Sequence, residues 1–417
     1  MNKEKQILPR PQYLQQLMDF QDQDIIKVLT GIRRSGKSTM LDLFIEHLRA
    51  EGVKEDRIVS MNFESAEFED IIDHSSLYQY VKDRISQNGR TYIFLDEIQN
   101  VIDFEKAVNS LMVDFDVDIY ITGSNAYMLS SDLSTLLSGR YVEIRMYPFS
   151  FREYMSAHDP TGTPEDCFYD YMRYGGFPFL AREHEERKIS AYLDGVYNTV
   201  VFKDVIARNK IKNPALMEKL VRFVFSSMGS LVSPSSIAKA IGPSDRSVAN
   251  ETVESYLEML CKAHILSKTV RYDIKGKEYL KTLNKYYVTD LGLRNHVLGY
   301  RQMEPTHALE NIVYFELLRR GYKVDMGKVD NMEVDFVVRN EDIIRYYQVA
   351  WTVNAPETPK DGSRAAKIET SKREFRPFDA IDDHYEKFVI TMDRDPVSSV
   401  NGVRKLNALD FLLGRND

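Results

Sequence analysis

Apolar runs alternate with polar turns through the first third of the chain. Apolar residues dominate at 25–30 (IIKVLT), within 90–99 (RTYIFLDEIQ) and within 117–126 (VDIYITGSNA). Runs of this length, bounded by polar or small residues, predict β-strands. After the first run, MLDLFIEHLRA places its apolar residues at helical spacing, so we predict a helix that begins near Lys37. The pattern indicates an α/β fold.

The rest of the chain carries two further patterns. From Leu216, MEKLVRFVFSSMG, SPSSIAKAIG and a longer stretch at 244–266 predict three helices, and ILSKTVRYDIK and NKYYVTD predict two strands around a lysine-rich turn. This order predicts a winged helix. Farther on, HALENIVYFELLRRGYKV predicts a helix, and NMEVDFVVRN and IIRYYQVAWT predict two alternating strands.

Composition limits the class of protein. The 417 residues give room for about three domains, and 43% apolar with 28% charged residues is typical of a folded chain. The two cysteines, Cys167 and Cys261, stand far apart and support neither a disulfide framework nor a zinc site. The start of the chain lacks the apolar segment of a signal peptide, and no window is apolar enough to span a membrane. We therefore expect a cytoplasmic protein that does not bind membranes.

Charge is unevenly distributed. The net charge is -8, yet residues 205–300 carry fifteen lysines and arginines against eight aspartates and glutamates, a local excess of +7. A basic segment between acidic flanks can contact phosphate groups although the whole chain is acidic.

The stretch GIRRSGKST, directly after the first predicted strand, carries a complete Walker A pattern. Its glycines let backbone N–H groups turn around phosphates, its lysine reaches the β- and γ-phosphates, and its serine hydroxyl is offered to magnesium. ATP and Mg²⁺ are therefore the expected cofactors. The residues predicted to bind the nucleotide are Gly31, Arg34, Ser35, Gly36, Lys37, Ser38 and Thr39.

Acidic and small polar residues end the next two predicted strands. Asp96 is predicted to hold Mg²⁺ together with Ser38, and Glu97 to act as the general base that polarises the attacking water. Ser124 or Asn125 is predicted to lie near the γ-phosphate and the water. The alternative for these two residues is a helix cap, which serine and asparagine also favour.

LSTLLSGR predicts a helix that Gly139 ends, followed by the strand YVEIRMYPF. Arg140 then stands at the helix end, on the edge of the nucleotide-binding domain. It either neutralises the helix C-terminus or reaches the γ-phosphate bound by a neighbouring subunit.

The order of Walker A, LDEIQ, ITGSN, LSGR with PFSFREY, and YGGFP resembles prokaryotic AAA+ ATPases that carry a restriction-endonuclease-like C-terminal domain of unknown function. The resemblance implies a five-stranded parallel sheet with helices on both faces, and a helical lid that includes YGGFP. It implies that Ser124 or Asn125 is sensor 1 and Arg140 the arginine finger. It also implies that Asn62 holds Glu97 inactive until a ligand arrives.

Two sets of basic residues lie outside this motif chemistry. Arg33 and Arg34 either face a nucleotide, lid or neighbouring subunit, or are solvated loop charges. In the predicted winged helix, the longest helix exposes Glu251, Glu254 and Glu258, which oppose the approach of phosphate. We therefore expect DNA to contact the lysine-rich strands instead, with packing or lid coupling as the alternative. The predicted nucleic-acid contacts, called here the basic set, are Lys268, Arg271, Lys275, Lys277, Lys281 and Lys285.

The last helix and two strands resemble a PD-(D/E)xK nuclease, in which Glu310, Asp335 and an acid on the next strand would hold magnesium. Here Gln348 replaces the acid and Ala350 replaces the lysine that activates water. We therefore expect no cleavage activity from this domain, and expect it to read DNA shape or contact another subunit.

The sequence thus predicts an oligomeric AAA+ ATPase that remodels duplex or branched DNA; a ring is expected, with a hexamer as one option and the subunit number left open. The alternative is a nucleotide-controlled signalling or defence switch that acts through a protein partner. The predicted domains are a P-loop core at 1–150, a lid at 151–205, a winged helix at 206–300 and a nuclease-like α/β domain at 301–417.

Overall fold

The computed structural model describes residues 7–123, 137, 139–158, 162–242, 248–299, 305–341, 343–354, 370–394 and 399–415. The chain forms two compact units. The first comprises Met1–Phe149, Val196–Asn209 and Lys262–Ile265, and the second comprises Ser150–Gly195, Lys210–Cys261 and Leu266–Asp417.

The first unit is built on a five-stranded sheet in the order β2-β3-β4-β1-β5, with every neighbouring pair parallel. Its strands are β1 (Ile26–Thr30), β2 (Ile58–Asn62), β3 (Thr91–Asp96), β4 (Val117–Thr122) and β5 (Tyr141–Arg145). Its helices are α1 (Pro11–Asp19), α2 (Lys37–Ala50), α3 (His74–Lys82) and α4 (Phe104–Asp114), with a π-helical segment at Asn198–Ala207.

Both faces of this sheet are covered, which explains the uninterrupted apolar runs. Every residue of β1, β3 and β4 is buried, as in parallel sheets with helices on each side. Consecutive residues of β1 pack into different hydrophobic clusters. Val28 belongs to the cluster that contains Leu111 of α4, and Leu29 belongs to the cluster that contains Phe44 of α2. The prediction of a five-stranded parallel P-loop sheet is confirmed.

The predicted elements near the end of this unit are only partly within the described residues. Gly139 adopts φ +69, the left-handed conformation expected of a residue that ends a helix. Of the preceding predicted helix, the structure describes Leu137, which is buried. Ser124 and Asn125 lie outside the described residues.

The second unit combines helices with an eight-stranded mixed sheet in the order β12-β13-β11-β10-β9-β8-β6-β7. Its strands are β6 (Leu266–Asp273), β7 (Glu278–Val288), β8 (Lys323–Val329), β9 (Met332–Asn340), β10 (Ile343–Ala350), β11 (Glu386–Thr391), β12 (Ser399–Val400) and β13 (Val403–Asn407). Its helices are α5 (Phe151–Ala157), α6 (Pro164–Tyr174), α7 (Glu186–Tyr197), α8 (Pro214–Ser226), α9 (Pro234–Ile241), α10 (Asn250–Lys262), α11 (Leu291–Leu298), α12 (Pro305–Arg319), α13 (Thr370–Asp379) and α14 (Ala408–Leu413).

This sheet does not divide at residue 300, where the sequence predicted a domain boundary. The antiparallel pair β6 and β7 corresponds to the two strands of the predicted winged helix, and β6 also pairs in parallel with β8 through Arg271 and Met326 and their neighbours. The free edge of a strand offers unpaired backbone donors and acceptors, and here β8 satisfies them. The winged helix and the nuclease-like domain remain predictions for the elements on either side.

The YGGFP stretch is held against the turn that begins α11. Gly175 has φ +83, and a Cβ atom there would lie 2.2 Å from Oδ1 of Asp290. The N–H of Gly176 donates to Oδ2 of the same carboxylate (2.7 Å), which also caps α11 by accepting from Leu293 N–H (2.9 Å). Burial raises the pKa of Asp290 to about 6. Gly175 therefore leaves room for a buried carboxylate, which the N–H of Gly176 binds.

None of the helices that the structure describes is long and apolar enough to cross a membrane.

Candidate functional site

The loop between β1 and α2 has a backbone that requires glycine at its first position. Gly31 has φ +140, and a Cβ atom there would lie 2.1 Å from the carbonyl oxygen of Met146. Gly36 (φ +98) precedes the first turn of α2, and Arg34 between them also has a positive φ, +71. Successive residues in such conformations turn their N–H groups toward one anion. The loop is therefore shaped as the Walker A pattern predicted.

Lys37 is buried under this loop. Its side chain is 4% exposed, and Nζ donates to the carbonyl oxygens of Gly31 (3.1 Å) and Ile32 (3.4 Å). Burial lowers the pKa of Lys37, while the charges of Glu97 and Asp96 act in the opposite direction. Both of these hydrogen-bond partners are carbonyl groups of the loop, which phosphate oxygens can replace.

Asp96, at the end of β3, collects three donors. Asn62 donates from Nδ2 (2.9 Å), the Thr122 hydroxyl donates to Oδ1, and the Ser38 hydroxyl lies near enough to lower the pKa of Asp96. Burial raises the pKa of this carboxyl group, and the bonds from Thr122 and Ser38 oppose that rise. Ser38 and Asp96, the two predicted magnesium ligands, are thus in contact, and their oxygen donors fit Mg²⁺.

Glu97 lies next to this pair in a left-handed conformation (φ +54) and is 7% exposed. Its N–H donates to Thr122 Oγ1 (3.0 Å), and its Oε2 accepts a hydrogen bond from Gln99 Nε2. Asn62 was expected to hold Glu97, but its amide bonds Asp96 instead. Its place at the end of β2, paired in register with Asp96, is the physical reason for this correction.

Two residues that support this site were not predicted. Thr122 connects Asp96 and Glu97, and the signal for it was present because β4 ends there in a hydroxyl after an apolar run. Arg10 is 3% exposed, and it donates to the carbonyl oxygens of Ser35 (2.9 Å) and Tyr147 (2.9 Å). An arginine before the first helix carries no local signal for that role.

Arg140 is exposed at the beginning of β5. Its carbonyl oxygen accepts from Ile26 N–H (2.9 Å), at the start of β1. The five residues of β1 separate that point from Gly31, about 16 Å at the rise of a β-strand. The structure therefore places Arg140 at the opposite end of the sheet from the loop of its own chain.

The two loop arginines differ in their surroundings. Arg33 pairs with Glu64 (2.8 Å) and with the buried Asp204 of the π-helical segment (3.3 Å), and it lines a groove of about 720 Å³ with Gln99 and Arg208 among others. Arg34 is exposed. Arg33 is therefore an ion-paired residue rather than a solvated loop charge.

The structure divides the basic set. Lys268 and Lys277 are exposed and Arg271 is partly exposed, whereas Lys275 pairs with Asp330 (2.7 Å). Lys285 is a correction to the predicted surface: its side chain is 4% exposed, because it points inward to the Glu310 carboxylate (2.9 Å). The side chain of Lys281 lies outside the described residues.

Comparison with known proteins agrees with this geometry. Residues 23–155 match the family described as an AAA domain, and residues 165–304 match a domain of unknown function, DUF8612. An uncharacterised protein of Haemophilus influenzae is 38% identical over 98% of this chain and 99% of its own length. One from Methanocaldococcus jannaschii is 28% identical over 81% of this chain and 76% of its own length.

Among solved structures, the Walker-type ATPase of Pyrococcus abyssi covers 70% of this chain and 97% of its own, with 14% identity and a TM-score of 0.49. The P-loop core, with its paired Ser38 and Asp96, defines a nucleotide-binding AAA protein. The chain belongs to the same family as the Haemophilus influenzae protein, and its residues 23–155 are an AAA domain.

Proposed function

We propose that this protein binds ATP with Mg²⁺ in the pocket of its first unit and hydrolyses it. The observation that carries the proposal is the convergence of Ser38 and Asp96, with Glu97 and its two supporting bonds directly beside them. Lys37 would exchange its loop carbonyls for phosphate oxygens, and Ser38 and Asp96 would hold the metal ion. Bound Mg²⁺ supplies positive charge to the phosphates.

Glu97 is the proposed general base, and Thr122 and Gln99 are its positioning residues. Thr122 fixes the backbone N–H of Glu97, and Gln99 fixes one carboxylate oxygen, so the carboxylate is held in one orientation from which it would accept a proton from water. Release of Gln99 would free that oxygen from the amide. We assign to Gln99 the restraining role that the sequence had suggested for Asn62.

Turnover is proposed to require a multimer. Arg140 lies about 16 Å along β1 from the loop of its own chain, and an arginine side chain is much shorter than that. An exposed guanidinium in this position can stabilise phosphoryl charge in a neighbouring subunit.

The proposed consequence of ATP turnover is DNA remodelling. It is supported by the basic excess at 205–300 and by the exposure of Lys268 and Lys277. The ion pairs of Lys275 and Lys285 reduce the charge available to DNA, and they favour the second candidate, a nucleotide-controlled switch that acts through a protein partner.

One experiment separates the two candidates. ATP turnover by the full-length protein is measured alone and with single-stranded, duplex, forked and four-way DNA. DNA binding is then compared between the parent protein, Lys268→Gln with Lys277→Gln, and the surface control Lys54→Gln. A motor predicts stimulation by DNA, and weaker, less salt-dependent binding only in the double variant, with a slope reduced by about one per lost phosphate contact. Absence of stimulation and of binding would favour the switch.

A further inference from the structure

Four ionisable side chains converge inside the second unit. Lys285 of β7 lies 2.9 Å from Oε1 of Glu310 in α12 and 3.7 Å from Oδ1 of Asp335 in β9, and it also contacts Glu333 of β9. The side chains of Lys285, Glu310 and Asp335 are 4%, 5% and 10% exposed. One buried ammonium group therefore serves three carboxylates that come from two different elements.

The carboxylates around this ammonium group have further hydrogen-bond partners. The Tyr287 hydroxyl donates to Oε1 of Glu310 (2.7 Å), and Val349 N–H donates to Oδ2 of Asp335 (2.8 Å). Gln348 accepts from Asp335 N–H (3.2 Å) and donates to Oε2 of Glu374 in α13 (2.8 Å). The Gln348 amide thus bridges the backbone of Asp335 and the carboxylate of Glu374.

These residues do not fit the divalent metal that a nuclease-like domain implies. Mg²⁺ requires octahedral oxygen ligands and keeps several waters, but the point where the carboxylates converge is taken by Lys285. Although burial lowers the pKa of Lys285, the charges of Glu310, Asp335 and Glu333 raise it above its ordinary value. Among the described residues, no group of three or more His, Cys, Asp or Glu side chains is arranged to hold a metal ion.

We infer that the ammonium group of Lys285 is the resident cation of this cluster and takes the place of a divalent metal ion. The inference goes beyond the proposed ATPase and does not depend on it. Its consequence is that β7, α12 and β9 are joined by an internal ion cluster that no chelator removes. Removal of the ammonium leaves converging carboxylates, which bind a divalent cation instead.

The test uses full-length protein without nucleotide, in an Asp96→Asn background that removes a predicted metal ligand of the first unit. Mn²⁺ is titrated, and free Mn²⁺ is followed by electron paramagnetic resonance. Lys285→Ala should bind one Mn²⁺ per chain that the parent does not bind, because carboxylate oxygens are ligands that suit Mn²⁺, and adding Asp335→Asn should abolish this binding. Lys285→Arg keeps a cation and should behave as the parent.

Two results would overturn the inference. One is Mn²⁺ binding by the parent that Asp335→Asn removes, because the cluster would then hold a metal beside Lys285. The other is a Lys285→Ala protein with a native near-ultraviolet circular dichroism spectrum that gains no Mn²⁺ binding. If Lys285→Ala does not fold, it is refolded with Mn²⁺: recovery of that spectrum supports the inference, and failure to recover overturns it.

Discussion

Replacement of Thr122 by valine tests the proposed support of Glu97. Thr122 is 0% exposed; its hydroxyl accepts from Glu97 N–H (3.0 Å) and donates to Asp96. Valine keeps the shape and removes both bonds. A buried N–H without a partner costs about 1–3 kcal/mol, and a hydrogen bond to a charged group contributes about 1.5–3 kcal/mol. The free energy of unfolding should therefore fall by about 2.5–6 kcal/mol.

The same substitution should affect hydrolysis more than binding. The loop glycines and Lys37 are not bonded to Thr122, although Asp96 is, so KM for ATP should change less than kcat. The positioning of Glu97 is lost, and kcat should fall about tenfold to hundredfold, which corresponds to about 1.4–2.7 kcal/mol of the barrier.

The assay is phosphate release at saturating ATP and Mg²⁺, with urea unfolding measured in parallel. Thr122→Ser keeps the hydroxyl and is the matched control, which should stay close to the wild type in both measurements. A folded Thr122→Val protein with the wild-type kcat would refute the assignment of Thr122 as a positioning residue.

Three further predictions concern the nucleotide pocket, Arg140 and Asp290. Lys37→Ala should lose ATP binding and turnover together, whereas Glu97→Gln should bind ATP and lose hydrolysis; equal phosphate release by Glu97→Gln and the wild type would exclude Glu97 as the base. Arg140→Ala should bind ATP but turn over on the order of a thousandfold more slowly, and mixing it with Lys37→Ala should restore activity; no recovery at concentrations where both assemble would leave Arg140 as a helix cap. Asp290, with a pKa of about 6, binds its proton more tightly in the folded state, so its contribution to the free energy of unfolding should decrease by about 2 kcal/mol as pH rises from about 4 to 6. Asp290→Asn should show a smaller decrease in urea midpoint over that range, and an unchanged decrease would contradict the raised pKa.

Local patterns were sufficient for the nucleotide-binding core. The apolar runs predicted β1, β3 and β4 because strands buried on both faces need apolar residues at nearly every position. The Walker A loop located Gly31, Gly36 and Lys37 because its spacing and its strand-to-helix setting are specific. The proximity of Ser38 and Asp96 follows from the prediction of the Walker A loop and from the prediction of β3, which ends at Asp96.

Side-chain partners far apart in sequence could not be predicted in this way. Asn62 and Gln99 are both amides near Glu97, and Gln99 bonds that carboxylate. Only the register of β2 against β3 shows that Asn62 bonds Asp96 instead. In the sequence, Lys285 is one of several cations in a basic segment. Its ion pair with Glu310 depends on the fold, because the two residues belong to different elements. The pairing of β6 with β8 is likewise non-local, so the chain pattern gave no warning that the sheet continues past residue 300.

The edge strand β5 connects two ends of the first unit that are otherwise separate. Directly after its last residue, the N–H of Met146 donates to Thr30 (2.8 Å), and the carbonyl of Met146 leaves no room for a side chain at Gly31. At its first residue, β5 follows Arg140. If Arg140 contacts a neighbouring pocket, a rearrangement of the loop around bound phosphate would displace one end of β5, and Arg140 stands at the other end. Nucleotide binding in one pocket of an assembly would then change the position of the arginine in the next pocket.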